Sequence, residues 1–110
     1  MFHAAVPTVD AAAVPAEAAL LDVREQDEWD AGHAEGALHI PMGQLMARID
    51  ELPADDRLYV VCRVGGRSAQ VVQYLVAQGR DALNVDVGMY AWEAAGRPMV
   101  SASGAEAFVL

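Results

Sequence analysis

Apolar positions along the chain fall into short unbroken runs separated by stretches with helical spacing. Leu20-Leu21-Asp22-Val23 reads as a brief buried strand that ends in polar residues. Leu58-Tyr59-Val60-Val61-Cys62 is the strongest run, rich in β-forming side chains and bounded by Asp55-Asp56 before it and Gly65-Gly66 after it. Ala82-Leu83-Asn84-Val85 is a third. Runs that are apolar on both faces suit a parallel sheet covered on both sides. Between them, Ala69, Val72, Leu75 and Val76 recur at helical spacing over Arg67 to Gln78, and Gly79 follows as a stop. The spacing of Leu45, Ile49 and Leu52 predicts a second helix over Met42 to Leu52, closed by Pro53. Shorter helices are expected near Glu25–Asp30 and Met89–Ala95. Strands alternating with helices give an α/β fold with a central, mostly parallel sheet flanked by helices on both faces.

The 110 residues fit one domain, with a core over about 8–100 and a short tail, 101–110, that could dock or stay loose. A hydrophobic fraction of 55% is enough for a core without a metal or disulfide staple. The formal charge is -9, and every basic residue is arginine. That sign argues against nucleic acid and anionic membranes as partners. No signal peptide or membrane span is apparent, so a cytoplasmic monomer is the default expectation. His3, His33 and His39 lack the paired spacing of a metal site, and neither a metal nor an organic cofactor is expected.

The single cysteine, Cys62, cannot form an internal disulfide, which leaves either an inert core thiol or a nucleophile. It closes the central run at the carboxyl edge, where ligands of such sheets sit. The segment Cys62-Arg63-Val64-Gly65-Gly66-Arg67-Ser68 is a strand end, a short loop and a helix start. Two glycines let the loop curl so that successive N–H groups form an anion nest, and the helix adds the positive end of its dipole. A thiol facing such a ring has its pKa drawn down from about 8.5 toward ~3.5–7.5. Arg63 and Arg67 place positive charge at the mouth, suited to a small anion. The bland alternative is a buried structural cysteine beside turn-shaping glycines. The electropositive setting favours the reactive reading.

Leu20 to Glu25, then Glu28-Trp29, Gly32 to Pro41, Cys62 to Ser68 and Val87 to Glu93 together resemble the rhodanese homology domain, in the family's order and over roughly residues 8–100. The resemblance implies a sulfurtransferase with Cys62 as nucleophile. Thiosulfate or a related small anionic donor gives its outer sulfur to Cys62, and cyanide, a thiol or a protein takes it from the persulfide. The loop from Arg63 through Val64, Gly65, Gly66 and Arg67 to Ser68 would bind substrate and persulfide. Asp22 and Arg24 are expected to form a supporting charged pair. A protein-to-protein sulfur relay is the alternative. A phosphatase or arsenate reductase is disfavoured, because those relatives have a loop one residue longer than the four residues between Cys62 and Arg67. His33 is expected to be structural and Trp29 and Trp92 to be core anchors, while Met89 and Tyr90 could line the pocket rim or pack. Val87-Gly88 stands where the family often has two glycines.

Overall fold

The computed structural model describes residues 6–54 and 56–110. His3 and Asp55, used above in the metal and strand readings, lie outside them. Five strands form a wholly parallel sheet: β1 (Thr8–Asp10), β2 (Ala19–Asp22), β4 (Leu38–His39), β5 (Leu58–Val61) and β6 (Ala82–Asp86), in the order β1-β6-β5-β2-β4. Two further strands, β3 (His33–Ala34) and β7 (Met99–Val100), pair antiparallel at one side. The helices are α1 (Gln26–Ala31), α2 (Gly66–Ala77) and α3 (Gly88–Ala94).

Strand alternation distributes the core. Leu58, Val60 and Cys62 project to one face of the sheet with Leu21 and Val23, where they meet Val71, Val72 and Leu75 of α2. Tyr59 and Val61 project to the other face with Leu20 and Val85, against Met89 and Trp92 of α3. The central strand β5 is therefore buried along its whole length. Because the alternation continues past Val61, the Cys62 thiol falls on the α2 side. Among the described residues, no helix is long and apolar enough to cross a membrane.

The helix expected over Met42 to Leu52 is absent. Its place is taken by two 3₁₀ turns, Met42–Gln44 and Ile49–Glu51. Leu45 and Leu52 are buried, with Met42 and Ile49 packed beside them, so the apolar positions face the core as their spacing predicts although the backbone forms no α-helix. Gly43 costs a helix interior about 1 kcal/mol, and Arg48 leaves the helical region at φ -118, ψ 17. The Arg48 side chain instead ties the turns together through Gln44 and Glu51.

Candidate active site

Cys62 follows β5 at the carboxyl edge of the sheet and is 1% exposed. Its Sγ accepts from the Gly65 N–H at 3.1 Å and lies 3.2 Å from the Ser68 Oγ, on the first turn of α2. Gly65 makes this possible: it caps α2 at φ 111, a region that side chains resist, and so turns its N–H back toward the sulfur. Burial pushes the Cys62 thiol up; against it, the Ser68 hydroxyl and the N–H groups of Ser68, Gly65 and Val64 pull it down. The balance leaves the thiol below its ordinary value, which favours the thiolate.

The loop is braced from the neighbouring strand, on the same face of the sheet as Cys62. The single Ser68 hydroxyl proton is shared between two acceptors, the Asn84 Oδ1 at 2.6 Å and the Cys62 Sγ at 3.2 Å, and Asn84 of β6 donates to the Gly65 carbonyl at 3.3 Å. The bond to Gly65 fixes the amide orientation, because a carbonyl can only accept. The start of α3 lies directly on the reactive segment: Met89 N–H donates to the Cys62 carbonyl at 2.8 Å and Tyr90 N–H to that of Arg63 at 3.3 Å. A Cβ on Gly88 would sit 2.2 Å from the Cys62 carbonyl oxygen, so no other residue fits there without displacing the loop. Val87 before it holds φ 57, and this is the left-handed conformation that explains why two glycines would be at ease here.

Asp22 and Arg24 form the expected pair, fully buried. Arg24 Nε and Nη2 straddle the carboxylate at 2.8–3.1 Å, and Nη2 also donates to the Gly32 carbonyl at 2.8 Å. The pair braces the β2–α1 loop. His33 Nδ1 lies 2.7 Å from the Trp29 carbonyl and His39 Nε2 lies 2.8 Å from that of Arg24, so each of these nitrogens carries its proton. Trp92 is a core anchor as expected; Trp29 is not. It is half-buried and stacked on His33 and His39, with ring centroids 3.5 and 4.5 Å apart.

The two mouth arginines differ from expectation. Arg67 is clamped by Glu28 of α1, with Nη1–Oε1 at 2.7 Å and Nη2–Oε2 at 2.9 Å. Arg63 donates to the Tyr90 hydroxyl at 2.8 Å and, through Nε, to the main-chain oxygen of Leu110 at 3.1 Å. Tyr90 thus sits at the rim, and the tail is docked: Phe108 N–H donates to the Ala31 carbonyl and Val109 N–H to Glu93. Val64 and Val87 complete the rim as exposed apolar side chains. Sequence reasoning assigned no role to Asn84 or to Glu28. A signal for Asn84 was present, as the one polar residue inside an apolar strand run.

The family described as the Rhodanese-like domain matches residues 9–95. A Bacillus subtilis (strain 168) protein provisionally named the sulfurtransferase YtwF is 40% identical over 79 residues, which cover 72% of this chain and 77% of that protein. Another from the same organism, provisionally named the sulfur carrier protein YrkF, is 38% identical over 74 residues. The match covers 66% of this chain but only 40% of that protein's length. Among solved structures, a rhodanese-related protein from Thermoplasma volcanium superposes with a TM-score of 0.80 at 30% identity, covering 86% of this chain and 97% of that one.

Proposed function

This chain belongs to the Rhodanese-like domain family, whose relatives point to sulfur transfer in general, and from that premise we propose that it is a sulfurtransferase working through a Cys62 persulfide. The observation that carries the reading is the sulfur itself, held at 3.1 Å by the Gly65 N–H and at 3.2 Å from the Ser68 hydroxyl. These donors favour the thiolate, so no separate base is needed to generate the nucleophile. With thiosulfate as donor, the thiolate attacks the outer sulfur, a new S–S bond forms, and the donor's S–S bond breaks to release sulfite with its electron pair. The loop N–H groups then face the persulfide anion, which they stabilise without reorganising. A thiophilic acceptor (cyanide in an assay, a thiol or a protein thiol otherwise) attacks the outer sulfur and restores the thiolate. Two half-reactions sharing one covalent intermediate give ping-pong kinetics. The free thiol suits a reducing compartment such as the cytoplasm.

A relay that receives sulfur from a protein donor is the second reading. The engagement of Arg63 and Arg67 favours it, because a small dianion then meets fewer open cations. Intact mass measured with thiosulfate, then after cyanide, beside a Cys62→Ser control, tests the proposal. One added sulfur that cyanide removes and the control lacks is the expected result. No added sulfur from thiosulfate, with loading from a cysteine desulfurase, would turn the assignment to the relay. No loading from either would overturn both.

A further inference from the structure

We propose that Glu28 is a specificity-determining residue: by clamping Arg67 it withholds the second cation of the mouth from doubly charged donors, and so favours an organic persulfide over thiosulfate. The inference rests on the sulfur-transfer reading above and names the donor class of that same site.

The geometry begins with the clamp. Both terminal nitrogens of Arg67 point into the Glu28 carboxylate, and the Glu28 side chain is 13% exposed. Glu28 is itself fixed, because its Oε1 also accepts the Glu25 N–H at 3.0 Å in a capping box at the start of α1. The carboxylate is therefore a built part of the mouth, and a donor would have to displace two charge-assisted bonds to reach Arg67.

Charge sets the consequence. The Cys62 thiolate and Glu28 are negative, Arg63 and Arg67 positive, so the mouth is neutral before a donor arrives. Glu25 adds a further negative charge within the field of Arg67, and the whole chain is at -9. Thiosulfate would bring two more negative charges to a partly desolvated site whose cations are both engaged, Arg67 by the Glu28 carboxylate and Arg63 by the uncharged Tyr90 hydroxyl and the Leu110 main-chain oxygen. An organic persulfide brings at most one, carried on the sulfur that is transferred, and its carbon side is uncharged, as are the exposed side chains of Val64 in the loop and Val87 just before α3. In its protonated form the step balances simply. The thiolate forms an S–S bond to the outer sulfur, the donor's own S–S bond breaks, and the departing thiolate leaves with that electron pair. The hydropersulfide proton passes to solvent, leaving the persulfide anion on Cys62.

The test compares thiosulfate with n-propyl persulfide generated in the assay, using the full chain and cyanide as acceptor. Glu28→Gln keeps one acceptor oxygen for the Glu25 N–H and Arg67 Nη1 but removes the charge and the acceptor that Arg67 Nη2 uses, so the clamp is released. In this variant the ratio of kcat/KM for thiosulfate to that for propyl persulfide is expected to rise on the order of tenfold, carried mainly by KM. A second measurement needs no variant. On the unmodified protein, kcat/KM for thiosulfate should rise with added salt as repulsion is screened over about 10 Å at 0.1 M. An unchanged ratio in Glu28→Gln, or a thiosulfate rate that falls with salt in the unmodified protein, overturns the assignment of Glu28 while persulfide loading still stands. Failure of both donors to sulfurate Cys62 overturns this assignment; the sulfur-transfer reading falls with it only if a cysteine desulfurase also fails to load Cys62.

Discussion

Two neighbouring residues at the start of α3 should respond to substitution in opposite directions. Val87 and Gly88 both hold the left-handed backbone conformation, at φ 57 and φ 55. A β-carbon there costs about 1–2 kcal/mol, and Val87 already bears that cost. Its side chain is 47% exposed, so Val87→Gly removes the strain with little loss of burial. After about 0.5–1 kcal/mol of added chain entropy in the unfolded state, a net gain of roughly 0.5–1 kcal/mol remains. Gly88→Ala introduces the same strain and adds a clash. Its Cβ would lie 2.2 Å from the Cys62 carbonyl oxygen and 2.9 Å from the Arg63 carbonyl, more than an ångström short of ordinary contact at the first. Overpacking of this kind adds about 1–3 kcal/mol, for a total of roughly 2–5 kcal/mol. At about 4 °C per kcal/mol for a domain of this size, Tm should rise by roughly 2–4 °C in Val87→Gly and fall by roughly 8–20 °C in Gly88→Ala. Relief of the clash moves the Cys62 backbone by about the missing distance, and a misplacement of about 1 Å can lower a rate by about 10²-fold. Thermal melts and the rate of sulfur loading on intact mass read both effects. A Gly88→Ala protein that melts within 2 °C of the parent and loads at its rate would refute the close approach between α3 and the reactive loop.

Ser68→Ala removes the side-chain donor that lowers the Cys62 thiol, so the pH midpoint of alkylation by iodoacetamide should move upward; an unmoved midpoint would assign the whole effect to the loop amides. Arg67 holds the Glu28 carboxyl below its usual range, so the stability it contributes is present above the unfolded carboxylate value of about 4.3 and is lost as pH falls through the lower folded one. Urea midpoints measured from pH 7 downward should therefore drop less steeply in Glu28→Gln than in the parent, and parallel curves would count against the linkage. Arg24→Met strands the buried Asp22 carboxylate and should cost about 3–5 kcal/mol in denaturant unfolding, whereas a loss below about 1 kcal/mol would mean that the pair is dispensable.

How much of this was readable from the chain depends on the range of the interaction. Strands β2, β5 and β6 announced themselves because each is a buried run whose neighbours in sequence are its neighbours in burial. Helix α2 did so through one stripe of apolar residues, and the reactive loop through the glycines that its turn requires. The segment after Pro41 misled, because the spacing that fills a core is compatible with both an α-helix and consecutive 3₁₀ turns. The partners of the arginines were out of reach for a different reason. Glu28 is 39 residues from Arg67 and Leu110 is 47 from Arg63, so local chemistry offered two free cations where the fold supplies acceptors for both. The residue type of Trp29 points to a core anchor, and only the fold brings His33 and His39 to its ring.

The docking of the tail has a practical bearing on how this protein is handled. Leu110 rests on the residue next to the nucleophile, so anything joined after it, whether a purification tag or natural sequence, begins beside the sulfur site. Parallel strands place the start of β1 at the opposite edge of the sheet, away from that mouth. Tethering to a surface or fusion to a reporter before β1 leaves the reactive loop untouched, whereas a carboxyl-terminal fusion alters the very arginine whose reach an activity assay would measure.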